Sequence, residues 1–223
     1  MPTVGEASVV RLALDINVLV AEILSRRRGR PATASAMLVD AIRDGICAAG
    51  PVQLVTSLPI IEIFASVLHR RLGYTEYEAA EKAWLLEQYT MEGPMPDRPY
   101  RTVGAGYIPF ETEADLRQAV ETFAGQLETR KHFNEARDDR YVLETALAGR
   151  ADILVTANIA DFIRGPAIRL ERDDVVRYPF AARTLVVAKP AFTAYWLRQG
   201  IVPDVAFIAA HPADFTRESL GSG

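Results

Sequence analysis

The chain has 223 residues and a mass of 24.6 kDa, long for one domain and short for two, since folded units cluster near ~100–150 residues. With 49% hydrophobic and 24% charged residues it can bury a sizeable core, which excludes disorder as the default. Its 25 Lys and Arg against 29 Asp and Glu leave a net charge of −4, which excludes a histone-like binder of duplex DNA but not a local basic groove. The single Cys47 excludes an internal disulfide and a Cys-rich zinc site and points to a reducing compartment. Met1 to Glu6 has no basic patch leading into an apolar core, so no secretory signal is expected. The apolar runs Val9–Leu14 and Val18–Leu24 fall short of the ~20 residues that cross a bilayer. The expectation is a cytoplasmic protein that does not enter membranes.

In chain order, Val9 to Leu14 is a short apolar run that stops at Asp15, which predicts a buried strand with a polar residue at its carboxyl end. Asn17 precedes Val18, Leu19, Ala21, Ile23 and Leu24, an amphipathic helix that runs out in Arg26-Arg27-Arg28-Gly29-Arg30-Pro31. A second helix starts at Thr33 or Ser35 and ends near Gly45. Gln53 to Thr56 is a second strand, and Ser57 is placed to cap a helix with Ile60, Ile61, Phe64, Val67 and Leu68 on one face. Tyr74 to Met91 is a further amphipathic helix.

From Gly93 to Phe110 the composition shifts to prolines and glycines, and a polar helix is expected from about Glu111 to Arg130, so residues 93–130 are the candidate insertion. Asp138-Asp139 is expected to open the next helix, which carries Val142, Leu143, Ala146 and Leu147 at spacings for burial. Ile153 to Thr156 and Leu185 to Ala188 are two more strands, the latter stopped by Pro190 before a last helix through Trp196. Strands alternating with helices predict an α/β fold, a three-layer sandwich with a central parallel sheet. Residues 1–200 are expected to form one domain, and 201–223 a partly disordered C-terminal extension.

Sites in such sheets form beyond the carboxyl ends of the strands. Asp15 and Asn17 follow the first strand, and Thr156, Asn158 and Asp161 follow the strand at Ile153. Glu62, one turn into its helix, and Asp139, in the first turn of another, can bring further carboxylates to the same place. Carboxylates converging in a partly buried cleft repel one another and raise each other's pKa unless a cation offsets the charge. A hard divalent ion, Mg2+ or Mn2+, suits oxygen ligands of this kind.

This constellation resembles the PIN-domain family of metal-dependent ribonucleases over roughly Arg11 to Gly200. Leu14-Asp15-Ile16-Asn17-Val18-Leu19 is similar to the family's Asp-Thr-Asn-Val-Leu start, with Ile16 in place of the usual Thr. Ser57 to Leu68 is similar to the helix bearing the second acid, Glu62. Asp138 through Ala146 and Ala151 through Phe162 supply the third and fourth acids at Asp139 and Asp161, and the Thr156-x-Asn158-x-x-Asp161-Phe162 ending is similar to that of toxin ribonucleases. Asp138 could take the place of Asp139 under a different helix phase. The resemblance implies an endoribonuclease in which a metal-activated water attacks the RNA phosphodiester. It implies Asp15 as the central ligand, with Glu62, Asp139 and Asp161 completing the metal site and Asn17, Thr156 and Asn158 orienting carboxylates or water. It also implies the toxin role of a toxin–antitoxin pair, with a small antitoxin or a second copy of the chain as partner.

Two basic clusters, Arg26-Arg27-Arg28 with Arg30 and Arg70-Arg71 after His69, are candidate RNA contacts, although cations at helix ends also complement the macrodipole. Trp84, Tyr89 and Trp196 fall at helical spacing with aliphatics and are expected in the core, while His69, His132 and His211 lack metal-ligand spacing. One alternative is a haloacid-dehalogenase-type phosphatase with Asp15 as nucleophile, Thr156 on the phosphate and Lys189 balancing charge. Against it, that motif wants an acid at Asn17, and its closing acidic pair should follow Lys189. Another is a non-catalytic interaction module, with the helices near Ile23 or Trp84 as partner surfaces.

Overall fold

The computed structural model describes residues 9–91, 133–163, 168–169, 175–180 and 183–210. The expected insertion at 93–130, its helix at Glu111–Arg130, His132 and the tail from His211 lie outside the described residues. In order the elements are β1 (Val10–Leu14), α1 (Ile16–Arg27), α2 (Ala34–Asp44), β2 (Ile46–Cys47), β3 (Gly50–Val55), α3 (Leu58–Leu72) and α4 (Glu76–Met91). They continue with α5 (Phe133–Ala148), β4 (Ile153–Val155), a 3-10 turn (Ile159–Phe162), β5 (Ile168–Arg169), β6 (Val175–Phe180), β7 (Arg183–Ala188), α6 (Pro190–Arg198) and α7 (Val205–Ala210).

The strands form one seven-stranded sheet in the order β2-β3-β1-β4-β7-β6-β5. Its centre, β3-β1-β4-β7, is parallel as expected, and its apolar runs (Leu12, Leu54, Ile153, Leu154, Val187) are fully buried because helices cover both faces. The edges add antiparallel strands to this parallel centre, since β2, β6 and β5 pair antiparallel. β6 escapes pattern reading because Arg177 and Pro179 interrupt its apolar alternation. On the helical layers, α1 and α6 both pack on α2, and α4 and α5 both pack on α3.

The chain leaves β1 for β3 on one side and crosses back past β1 to reach β4. Connections from these adjacent strands therefore diverge, which opens a crevice at their carboxyl ends. The register aligns Leu14 with Val155, and the Asp15 amide donates to the Val155 carbonyl at 2.9 Å, so Asp15 and Thr156 emerge side by side.

Local chemistry explains most helix ends. Thr33 caps α2 by accepting the Ala36 amide at 3.3 Å, and Gly45 closes it at φ 68. Thr75 and Glu78 form a reciprocal capping box at the start of α4. Helix α5 begins at Phe133, five residues before the acidic pair expected to open it, so Asp139 lies in its second turn. Its exit divides between two residues the tasks of a left-handed turn and of close backbone approach. The Arg150 amide reaches the Leu147 carbonyl and the Ala151 amide reaches Ala146, a closing turn whose left-handed residue is Arg150 (φ 51) and not Gly149. Gly149 is needed for close approach, because a β-carbon there would stand 1.9 Å from Val55 Cγ1.

Candidate active site

Asp15 is 8% exposed and Thr156 is fully buried. Thr156 donates its hydroxyl to Asp15 Oδ2 at 2.6 Å, and the Asn17 amide donates to the same oxygen at 2.6 Å and to Thr156 Oγ1 at 3.2 Å. The backbone returns both favours. The Ala157 amide donates to Asn17 Oδ1 at 3.0 Å and the Asn158 amide to Thr156 Oγ1 at 3.0 Å. The Asn158 side-chain amide donates to Asp161 on the 3-10 turn. Five of the seven residues picked out at the strand ends and helix starts thus form one network: Asp15, Asn17, Thr156, Asn158 and Asp161.

The electrostatics of Asp15 follow from this placement. Burial pushes its carboxyl above the ordinary value of 3.8. The Thr156 hydroxyl and the nearby amides of Asn17 and Ile16 pull it back, the negative charge of Asp161 raises it again, and the net direction is upward. The backbone of Asp15 takes the N-cap conformation of α1, yet its side chain makes no capping bond and is spent on the network. Capping therefore does not explain this residue.

The two remaining acids, Glu62 and Asp139, lie on α3 and α5. Helix phase puts Ile60, Ile61, Phe64 and Leu68 on the buried face of α3 and leaves Glu62 exposed, so its apolar sequence neighbours do not enclose it. Asp139 is half-buried on the face of α5 that carries Val142, Leu143 and Ala146. Among the described residues, no group of three or more His, Cys, Asp or Glu is gathered as a metal ion would need. The Asp138 side chain lies outside the described residues.

Two polar features escaped the sequence reading. Thr145 donates to Ser57 Oγ at 2.7 Å, a buried bond that ties α5 to the start of α3, and Ser57 does not cap α3 with its side chain. Thr145 shares the buried face of α5 with Val142 and Ala146, a phase that could have flagged it. Thr56, which follows β3, has a buried hydroxyl with no hydrogen-bond partner among the described residues. A polar residue directly after an apolar strand was its only signal.

The basic clusters do not line this edge. Helix α1 has 12 residues and α3 has 15, so their arginine-bearing ends lie ~18 and ~22 Å from their starts. Of the aromatics expected in the core, Trp196 is fully buried and Tyr89 is half-buried, but Trp84 is 56% exposed on α4. Lys189 is half-buried at the N-cap of α6, directly after β7.

The family model for the PIN domain matches residues 11–160, about two thirds of the chain, and ends one residue before Asp161. No curated protein and no solved structure matches the chain. No helix among the described residues is long and apolar enough to cross a membrane.

Proposed function

The chain belongs to the PIN domain family, and from that premise we propose that it is a Mg2+ or Mn2+-dependent endoribonuclease hydrolysing RNA phosphodiester bonds beyond β1 and β4. The observation that carries this reading is the state of Asp15. It is a buried carboxylate whose bonded partners, Thr156 and Asn17, are neutral, and the charge of Asp161 adds to its own. Such a group favours a cation.

The donors fit a hard ion. All are oxygens, and Mg2+ is commonly held by one or two carboxylates together with retained waters and substrate phosphates. Asp15 and Asp161 supply two carboxylates, and the Thr56 hydroxyl, which has no partner among the described residues, adds a buried polar oxygen at the same end of the sheet. When bound, the ion would lower the pKa of a water and offset charge on the phosphate oxygens.

The chain's own residues then have separable tasks. Thr156 and Asn17 fix Oδ2 of Asp15, which sets the direction of its other oxygen, and Asn158 does the same for Asp161. Asp139 and Glu62 serve as outer carboxylates that accept hydrogen bonds from bound water. On this reading the protein is the toxin of a toxin–antitoxin pair, acts in the cytoplasm and is restrained by a small antitoxin or by pairing with a second copy. No observation favours the phosphatase alternative, because Asn17 donates an amide where that chemistry needs a second acid.

The test is cleavage of end-labelled RNA by purified protein. Cleavage with Mn2+ or Mg2+, stopped by EDTA and restored by added metal, is the expected result. No cleavage with either ion, or cleavage that EDTA leaves untouched, overturns the reading.

A further inference from the structure

The two helices that start at the acidic edge also end together. Arg27 at the end of α1 donates to the Leu72 carbonyl at 3.2 Å, the last residue of α3, and its guanidinium lies 4.1 Å from the centre of the Tyr74 ring. These contacts bring the Arg26–Arg30 and Arg70–Arg71 clusters side by side. The α1 end is also held firmly: Gly29 takes φ 67, its amide reaches the Arg26 carbonyl at 2.9 Å, and the Arg30 amide reaches Ser25 at 2.9 Å. Arg28 and Arg30 are thus displayed from a closed, hydrogen-bonded turn.

Some of this charge is already matched within the fold. Arg26 pairs with Glu22 and with Asp40, and Arg27 and Lys82 flank Tyr74 and feel the charge of Glu78. Arg28, Arg30, Arg70 and Arg71 are all exposed and make no ion pair among the described residues. A helix C-terminus carries only about half a negative charge, so two such ends do not account for four unmatched cations. Tyr77, 78% exposed in the first turn of α4, follows Tyr74 by three residues and offers a solvent-facing ring.

We propose that this corner is a second RNA-binding surface, on which Arg28, Arg30, Arg70 and Arg71 hold the phosphate backbone of the substrate strand ~20 Å from the carboxylates. The proposal rests on the ribonuclease reading for the identity of its ligand. Four guanidinium groups together with an exposed aromatic ring at the start of the next helix suit a phosphate backbone with stackable bases better than an acidic peptide, which offers no planar bases. The surface would add affinity without reading sequence, and it would be sensitive to salt.

The test is fluorescence anisotropy with a labelled single-stranded 20-nucleotide RNA, in EDTA so that nothing is cut, comparing wild type with Arg28→Ala/Arg71→Ala at several salt concentrations. Loss of two phosphate contacts predicts binding weaker by about tenfold at low salt and a log–log salt slope shallower by about 1.4. Substitutions at exposed positions leave the fold intact, which equal melting temperatures would verify. Unchanged affinity and slope overturn the proposal, even if wild type cleaves RNA with Mn2+. So does competition by a polyglutamate peptide as effective as unlabelled RNA, which would assign the corner to an acidic protein. Weakened binding in a protein that cleaves no RNA would keep this surface and overturn only the catalytic reading.

Discussion

Helix α1 follows its N-cap Asp15 and ends at Arg27, and its two ends are built on opposite terms. At the start a carboxylate is buried among neutral donors with a second acid nearby, and at the end guanidinium groups stand in water beside another helix terminus. Charge at the buried end is costly and therefore able to do chemistry, since its protonation and its partners matter. Charge at the exposed end costs little and acts by number. Substitutions should therefore be sharp and local at one end and shallow and cumulative at the other.

The largest effect should come from Asp15→Asn. Metal-supported cleavage should fall by about a thousandfold, ~4 kcal/mol in the barrier, while the metal-free protein should melt at a higher temperature than wild type at neutral pH. The second half follows from the direction of the shift. A carboxyl raised by burial is preferred protonated in the fold, so its contribution is full below the ordinary value of 3.8 and is lost as pH rises through the raised one. The gap in melting temperature should close as pH falls below that ordinary value. Equal melting curves at neutral pH would mean that Asp15 is not a strained charge, and the contrast between the ends would fail.

Next in size is Thr156→Val, which keeps the shape but removes the hydroxyl donated to Asp15. Cleavage should drop ~10–100-fold, and stability should fall by ~1–3 kcal/mol, as for an unsatisfied buried acceptor. Denaturant unfolding checks the second figure. Glu62→Gln should matter less, lowering cleavage by at most about tenfold in steady-state assays, with stability changed by no more than ~0.5 kcal/mol because the side chain is exposed. A loss as large as that of Asp15 would show that Glu62 joins the network when substrate binds. Smallest is Arg26→Ala, whose surface pairs with Glu22 and Asp40 should be worth less than ~1 kcal/mol, less still in high salt.

What the sequence revealed and what it hid follow the same division. The four central strands and the Asp15–Thr156 meeting were legible because each strand is an apolar run that stops at a polar residue, and adjacent parallel strands present those residues together. The edges were not, since β2 and β5 have two residues each and β6 contains Pro179. The start of α5 was misplaced because Phe133–Asp138 is too polar to show a helical period, which made the acidic pair look like an opening turn. Glu62 has apolar neighbours in the chain, but a helix sends adjacent residues to different faces, so its exposure is not legible from them. The arginine clusters are legible as charge in the sequence, but their distance from the acids is set by the length of the helices, which carries them to the far side.

The exit of α5 bears on how this protein could be engineered. Gly149 looks dispensable and Arg150 looks ordinary, but their substitution tolerances are reversed: an added methyl at 149 meets the Val55 side chain, and glycine at 150 would relieve a left-handed arginine. A hardening campaign guided by helix propensity alone would choose alanine at 149 and push a wedge between this turn and β3, while passing over the neighbouring site where robustness is on offer.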